Sequence, residues 1–325
     1  MDYNKKIDFS SLATYIDCPR KFLFQYIFHF RSVRPNIHLI FGSCWHYGLE
    51  IVYKSLQENQ KTISIIEATE ISQKEFNMLW EIIGEPHFSD HDLIFPKSPG
   101  HAHNMYHKYW EYYLKNEDAD KKIIAVESSF SISLDSFEQG LPNYIGRQDL
   151  IFQLPDGTLE IIDHKTAKAL WATTLAGFES SYQTDGYLTS GYLYYDSIPK
   201  MTYSIAFCQK SKIDFQRFTI VKRQAALEQF LSELVHKVKT ILTDLTLLSE
   251  YSQVLKNRND ILPIFHRSPG YACTAYMSKC PYFDLCLIRS NPLLWQNNPP
   301  QGYSINEWDP DLHDLEMRRK LAEIN

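Results

Sequence analysis

The chain of 325 residues contains no apolar run near the roughly 18 residues that a membrane-spanning helix requires, so a membrane span is not expected. Its opening, Met1-Asp2-Tyr3-Asn4-Lys5-Lys6, leads into no apolar stretch of the kind that marks a secretory signal. A reducing cytoplasm is therefore the expected location. Internal repeats and low-complexity tracts are lacking too. With 44% hydrophobic and 22% charged residues, the composition excludes long disorder and a collagen-like chain. There is no positive excess: 33 Lys and Arg against 39 Asp and Glu give a net charge of −6. That excludes a surface coated in nucleic acid but leaves room for a local basic groove. Cysteines number only 6. In a reducing compartment they are not a disulfide framework, which leaves buried thiols, a metal site or a catalytic site.

What the sequence has in quantity is aromatic: 21 Tyr, 19 Phe and 6 Trp, as core or as platforms for bases. Ser10 and Ser11 read as N-caps of a short helix that stops at Cys18, because the residue before Pro19 disfavours helical geometry. Pro19 then opens a second helix. Phe41 to Leu56 reads as a helix with His46 and Glu50 one turn apart. Residues 60–83 and 103–116 read as helical around a loop from Gly84 to Gly100. Strands are expected at Ile123–Leu134, Tyr144–Leu154 and Thr158–Thr166. A Tyr-rich helix spans Phe178–Tyr195, and a hairpin follows at Met201–Gln209 and Ile213–Val221. From Arg223 to Leu248 apolar residues recur every three or four positions, the pattern of a helix with one buried face. A short charged helix is expected near Asp311–Ala322. The order predicts an α/β or α+β fold, a mixed central sheet flanked by helices.

The most informative stretch is the pair of apolar runs around Pro155-Asp156-Gly157, a tight-turn signal. Centred on Asp156, the hairpin sets 154 against 158 and Asp149 against Asp163. Side chains alternate along a strand, so Asp163 and Lys165 share one face and His164 takes the other. Like charges facing one another destabilise a sheet, and a divalent cation removes that penalty. Magnesium takes carboxylate, water and phosphate oxygens, and Lys165 beside it can hold a phosphate oxygen or an attacking water. Leu150, Ile151, Ile161 and Ile162 make both strands apolar on both faces, and buried strands seldom carry such charges without a use.

These residues resemble the PD-(D/E)xK nucleases, and the fuller pattern is similar to their RecB-type branch. Gly42 and His46 match its Gly-x-x-x-His element. Gly146-Arg147-Gln148-Asp149 matches Gly-x-x-Asp, Asp163-His164-Lys165-Thr166 matches Asp-x-Lys-Thr, and Gln183 with Tyr187 matches Gln-x-x-x-Tyr. Glu127-Ser128-Ser129-Phe130 looks like the acidic first strand. The resemblance covers most of residues 9–287 and implies a restriction-endonuclease-like fold. It implies Asp149, Asp163 and Lys165 as catalytic residues. It also implies a Mg2+ or Mn2+ ion on His46, Asp149, Asp163 and the backbone carbonyl of His164. Gln183 and Tyr187 would touch DNA or orient Lys165; the parts of Glu127 and Glu50 stay open.

Cys273, Cys280 and Cys286 cluster near the C-terminal end, and Cys280-Pro281 echoes Cys18-Pro19. Three clustered thiols want a fourth, and Cys18 is the natural candidate. Cys44 and Cys208 sit in apolar patterns and read as buried thiols. Spacing alone does not separate Zn2+ from an iron–sulfur cluster. The resemblance favours the latter: AddB-type nucleases and similar CRISPR-adaptation nucleases carry one N-terminal cysteine and a C-terminal trio around a [4Fe–4S] cluster. Such a cluster would staple the N-terminal helices to the C-terminal region. His87, His91, His101, His103 and His107 crowd the loop region, read as a lid with solvated histidines.

The expectation is a single nuclease domain over 1–325. Residues 1–54 carry Cys18 and His46, 55–120 form a helical insertion or lid, 121–250 the catalytic core, 251–290 the cysteine region and 291–325 a tail. The expected activity is metal-dependent cleavage of DNA, as an exonuclease on single strands or ends, with a homo-oligomer or a recombination- or CRISPR-type protein as compatible partner. The alternative is a non-catalytic DNA-binding or recombination subunit that keeps fold and cluster.

Overall fold

The computed structural model describes residues 2–33, 35–59, 63–275, 278–288 and 291–307. The first elements are β1 (Lys6–Asp8), α1 (Phe9–Asp17), α2 (Pro19–Phe22), which runs into a wide turn at Leu23–Ile27, and β2 (Phe30–Ser32). Four helices follow: α3 (Ile37–Asn59), α4 (Ile65–Ile83), α5 (His91–Ile94) and α6 (Pro99–Tyr112). Next come β3 (Lys122–Ser133), β4 (Asn143–Gln153), β5 (Leu159–Ala167), α7 (Ala172–Glu179), α8 (Tyr182–Tyr195), β6 (Lys200–Cys208) and β7 (Ile213–Ile220). Last are α9 (Gln224–Val254), α10 (Tyr271–Thr274), α11 (Phe283–Ile288) and β8 (Tyr303–Ile305). The helix expected near Asp311–Ala322 lies outside the described residues. Where the sequence suggested a single nuclease domain, the residues group into two compact units. One holds Met1–Arg34, Ser131–Ile145 and Gln229–Met317; the other holds Pro35–Phe130 and Gly146–Glu228.

In the second unit the sheet is mixed, as expected. β5 pairs antiparallel with β4 and parallel with β6, and β6 pairs antiparallel with β7. The turn closes with the Leu154 N–H donating to the Thr158 carbonyl at 2.8 Å, and Gly157 takes φ +85, which a side chain would resist. Leu150 faces Ile162 and Ile151 faces Ile161, the register deduced from Asp156. β5 is buried from Leu159 to His164, as a strand covered on both faces must be. A parallel neighbour needs a crossover, and α7 and α8 supply it. The helix expected over Phe178–Tyr195 corresponds to α8, and α7 was not expected. The two helices break at Ser180–Ser181, where the Ser181 side chain accepts from the Gln183 N–H and caps α8.

The helices α3, α4 and α6 share an aromatic core. Trp45 stacks on Tyr106 at 4.3 Å, and the Tyr106 hydroxyl donates to the carbonyls of Cys44 and Trp45. A Cβ on Gly48 would come within 2.6 Å of the Ser72 carbonyl, so the close approach of α3 and α4 requires glycine there. Phe76, Trp80, Tyr109 and Trp110 are fully or almost fully buried. The helices within 55–120 therefore carry a packed interior of their own. His101 is buried against Phe95, contrary to a solvated row of histidines, while His91 Nε2 lies 3.1 Å from Glu85 Oε2.

The first unit is also aromatic inside. Tyr3, Tyr15, Tyr26 and Phe265 surround Phe22, with Phe22 and Phe265 stacked at 6.1 Å. Phe24 meets Tyr282 and Trp295, and the Tyr282 hydroxyl donates to the Phe30 carbonyl at 2.7 Å. β2 pairs antiparallel with β8, and β1 pairs parallel with Asn143–Ile145. The cap of α1 is Asp8, whose side chain accepts from the Ser11 N–H at 3.0 Å. Ser10 and Ser11 are inside the helix instead, because the Asp8 carboxylate, two residues before Ser10, is the better acceptor for the first turn. On α9, Leu227, Phe230, Leu234, Val238 and Ile241 are buried, the face its spacing predicts.

Beneath the sheet of the second unit runs a buried ion network. Arg217 on β7 forks onto both oxygens of Asp118 and lies 3.9 Å over the ring of Tyr113. Lys121 bridges Asp118 at 3.2 Å and Glu160 at 2.9 Å. Burial alone would raise the Asp118 carboxyl, but the hydrogen bonds and charge of Arg217, with Lys121, hold it below its ordinary value. A carboxyl depressed in the folded state gives stability above its unfolded pKa, lost as pH falls through the folded one. Asp118→Asn should cost about 3 kcal/mol, since it strands a buried guanidinium. Denaturant unfolding followed by tryptophan fluorescence should show that deficit at pH 7 and a narrowing gap as the buffer approaches pH 3.

Candidate active site

The second unit brings together residues from four elements. His46 comes from α3, Asp149 from β4, Asp163 and Lys165 from β5, and Gln183 and Tyr187 from α8. Asp149 Oδ2 lies 3.2 Å from His46 Nδ1 and accepts from the His164 backbone N–H at 2.8 Å. Asp163 Oδ2 pairs with the Lys165 ammonium, and Asp163 Oδ1 accepts from Gln183 Nε2 at 3.1 Å. The ladder ends with Leu150 against Ile162, one residue short of the two aspartates, and Asp149 lies close enough for its charge to act on Asp163. Alternation puts His164 on the opposite side. Its ring is buried against Tyr53 and Tyr109, and neither nitrogen has a hydrogen-bond partner among the described residues. Burial pushes that imidazole down to about 3, so it stays neutral.

The charges at the centre constrain one another. Burial, reinforced by the charge of Asp149, pushes Asp163 up to about 6, although Lys165 works against it. Burial would raise Asp149 too, but the charge and hydrogen bond of His46, with the charge of Lys165, overcome it and hold that carboxyl well below its ordinary value. Burial lowers the His46 imidazole, but the charge and hydrogen bond of Asp149 outweigh it and leave it raised. The ammonium of Lys165 is likewise raised, by Asp163 and Asp149 against burial. The two aspartates thus divide the work: one stays ionised beside the imidazole, the other shares its charge with the lysine.

Glu127 on β3 joins this group. Its Oε2 lies 2.6 Å from Arg147 Nε, and its backbone takes a left-handed φ of +52, a strained conformation within a strand. Burial and then Asp149 push its carboxyl up to about 8, because the half-exposed Arg147 compensates only in part. Glu50 is tied to Lys54. Gln183 reaches Asp163 and the Tyr187 hydroxyl at 3.1 Å rather than Lys165, and Tyr187 is buried with its hydroxyl donating to the Arg147 carbonyl.

Three partners went unread in the sequence. Gln148, buried and on the opposite face from Asp149, donates to Ser190 Oγ at 2.9 Å and to the Tyr187 carbonyl at 3.2 Å, fixing α8 on β4. Alternation from Asp149 was the signal that could have found it. Arg147, one position further back, lies beside Glu127. Tyr203 on β6 has its ring 5.8 Å from Lys165 Nζ, and Thr184 hydrogen-bonds its hydroxyl at 2.9 Å. Only the parallel register, Asp163 against Tyr203, reveals that one.

A family model for the PD-(D/E)XK nuclease superfamily matches residues 7–286. The chain belongs to that superfamily. Membership in these PD-(D/E)XK enzymes implies metal-dependent nuclease activity, generally with divalent ions such as Mg2+ or Mn2+. No curated protein matches the chain. The solved structure of SSO0001 is 13% identical over 72% of this chain and 77% of its own, with a TM-score of 0.29. No helix among the described residues is long and apolar enough to cross a membrane.

Two carboxylates and a backbone carbonyl are the hard oxygen donors a small divalent cation prefers, and the His46 imidazole adds a borderline nitrogen donor. Their mutual repulsion, with burial, raises Asp163 and Glu127, the mark of a centre short of positive charge. The chemistry of this nuclease site therefore fits such an ion. As they stand, with His46 and Lys165 as counter-charges, no three His, Cys, Asp or Glu side chains among the described residues are gathered closely enough to hold one.

Glu127 gives this site a pH signature. A carboxyl raised in the folded state makes the protein bind more protons folded than unfolded between about pH 4.5 and 8, so stability declines as pH rises through that window. In EDTA, Glu127→Gln should melt above the wild type at pH 8.5, with the gap shrinking towards pH 5. A wild-type advantage at pH 8.5 would mean that Glu127 is ionised and held by Arg147.

Proposed function

We propose that this PD-(D/E)XK protein is a deoxyribonuclease of the RecB/AddB-like type, acting as an exonuclease on single-stranded DNA or DNA ends. The observation that carries the reading is Asp163 pinned between Lys165 and Gln183, with Asp149 on the neighbouring strand. Asp149, Asp163, His46 and the carbonyl of His164 are the groups that would hold Mg2+ or Mn2+. Such an ion supplies a Lewis acid for the phosphoryl oxygen and a water acidified enough to attack.

The chain's own residues divide the remaining tasks. Lys165 is a fixed cation where negative charge grows on the phosphate, and preorganised charge of this kind is one of the strongest accelerating influences an enzyme has. Tyr203 packs against its ammonium, so the lysine is held ready. Gln183 keeps the Asp163 carboxylate in one orientation. Tyr187, buried and bonded to the Arg147 carbonyl, is a brace for β4 and has no hydroxyl left to offer DNA. That narrows the positioning role expected for the pair to Gln183.

The second part of the reading concerns Cys18, Cys273, Cys280 and Cys286. All four are free thiols and lie in one compact unit. Cys280 is affected by the charges of Cys18 and Cys273, and Cys286 by those of Cys18 and Cys280. We assign them a [4Fe–4S] cluster, with Zn2+ as the alternative occupant. Cys44 and Cys208 are buried elsewhere, in α3 and β6.

End-labelled single- and double-stranded DNA, incubated with Mg2+, Mn2+ or EDTA, tests the activity. Cleavage should require the metal and release labelled mononucleotides or short oligomers. Asp163→Ala and Lys165→Ala should each reduce it by at least a thousandfold with the circular dichroism spectrum unchanged. Full activity in EDTA would overturn the mechanism.

Protein purified without oxygen should be brown and carry about four irons per chain. Cys18→Ser should lose the iron as fully as Cys280→Ser, whereas Cys44→Ser and Cys208→Ser should retain it. Colourless protein with one zinc would exchange the cluster for the alternative. Full iron in Cys18→Ser would remove that residue from the site.

A further inference from the structure

The segment from Thr166 to Tyr182 leaves the candidate site on a strand and returns to it on a helix, all within the second unit. Lys165 stands just before it. Just after it comes Gln183, whose side chain reaches Asp163 at 3.1 Å. Between these ends α7 has no buried residue, and Trp171, which precedes its first turn, is 69% exposed. That exposure is not slack chain. The Trp171 carbonyl accepts from the backbone N–H groups of Thr174 at 2.9 Å and Leu175 at 3.2 Å. Gln209 Nε2 donates to the Lys168 carbonyl at 2.7 Å, which ties the segment to the turn between β6 and β7. At the other end of α7, Phe178 stacks on Tyr203 at 4.0 Å, and its carbonyl accepts from the Thr184 hydroxyl at 2.7 Å.

The same Tyr203 ring lies 5.8 Å from Lys165 Nζ, so α7 is anchored on the residue that packs against that lysine. At about 1.5 Å per helical residue, Trp171 stands about 10 Å from Phe178. An indole is thus held in solvent within a few nucleotide lengths of Lys165. Its neighbours carry charge that suits a phosphate chain. Lys168, three residues before it, and Lys210, on the tied turn, are exposed, while Lys212 pairs with Asp214. The acid of the segment, Glu179, lies at its far end. Every base has a π-face, so an aromatic ring beside cations grips a single strand whatever its sequence; bases within a duplex are already stacked on one another.

We propose that Trp171 is a stacking platform for an unpaired base of single-stranded DNA, with Lys168 and Lys210 as contacts for its phosphates, so that the strand is led towards Lys165. This rests on the reading of the site as one that acts on DNA. Trp171 binds the strand and takes no part in the chemistry.

The test uses the full chain in EDTA, which stops metal-dependent cleavage, and the fluorescence anisotropy of labelled probes. These are an oligothymidine of about 20 nucleotides, an abasic oligomer of equal length and a duplex of equal length. Trp171→Ala should bind the oligothymidine about tenfold more weakly than the wild type, the loss of one stacked base, and Trp171→Phe should restore most of that affinity. The abasic oligomer keeps the phosphates and lacks the bases. Trp171→Ala should therefore bind it as the wild type does, whereas Lys168→Gln should weaken both single strands alike. The duplex should show no loss in Trp171→Ala. Equal affinity of wild type and Trp171→Ala for the oligothymidine would overturn the proposal, and so would a tenfold loss on the abasic oligomer or the duplex, or a wild type that binds no single strand. Adding Mn2+ to the same mixtures reads cleavage separately. Binding that depends on Trp171 without any cleavage would uphold the platform and overturn the deoxyribonuclease reading.

Discussion

Everything around the candidate site depends on negative charge placed where a sheet least tolerates it. Asp149 and Asp163 sit on adjacent, largely buried strands, and Glu127 adds a third carboxyl nearby. Burial penalises each charge and proximity penalises them jointly. The surroundings read as a set of partial remedies. His46 reaches down from α3, Lys165 reaches back along its own strand, and Arg147 lies against Glu127. None fully cancels the repulsion, which is why Asp163 and Glu127 still hold protons above the ordinary range. A site tuned in this way is stable enough to exist and needs a further cation to relax.

Much of that was legible from the chain. One turn, Pro155-Asp156-Gly157, gave the register, and the register brought Asp149 beside Asp163 without any knowledge of the rest of the fold. The partners of α8 were harder. Gln183 and Tyr187 were recognisable as one helical face, but which group each would touch depends on the break at Ser180–Ser181. Two serines within a Tyr-rich run do not announce a cap until the neighbouring strand is in place. The aromatic segment around Tyr106 and Trp110 misled in the opposite direction. Its histidines suggested an exposed lid, whereas the apolar residues between them pack into the interior. A pattern that mixes His with Tyr and Trp on successive turns has two faces, and only packing decides which one is covered.

The cysteine region also looks different with its neighbours present. A metal centre seemed the natural staple between the N-terminal helices and the C-terminal region. Yet Phe22 on Phe265, Phe24 on Tyr282 and the β2–β8 pair already join those segments without metal. The four thiols are therefore relieved of the purely structural task.

The same aromatic joint governs the order in which the chain can assemble during synthesis. The candidate site residues, from His46 to Tyr187, and their sheet fall within about the first two-thirds of the sequence. Phe22 and Phe24, by contrast, wait for partners some 240 to 270 residues further on. Until Phe265, Tyr282 and Trp295 have been made, Phe22 and Phe24 have only their near neighbours Tyr3, Tyr15, Tyr26, Phe28 and Phe30 for lining. The candidate site can thus take shape before the first unit is complete, and that unit, although it contains the first residues, is among the last to be finished.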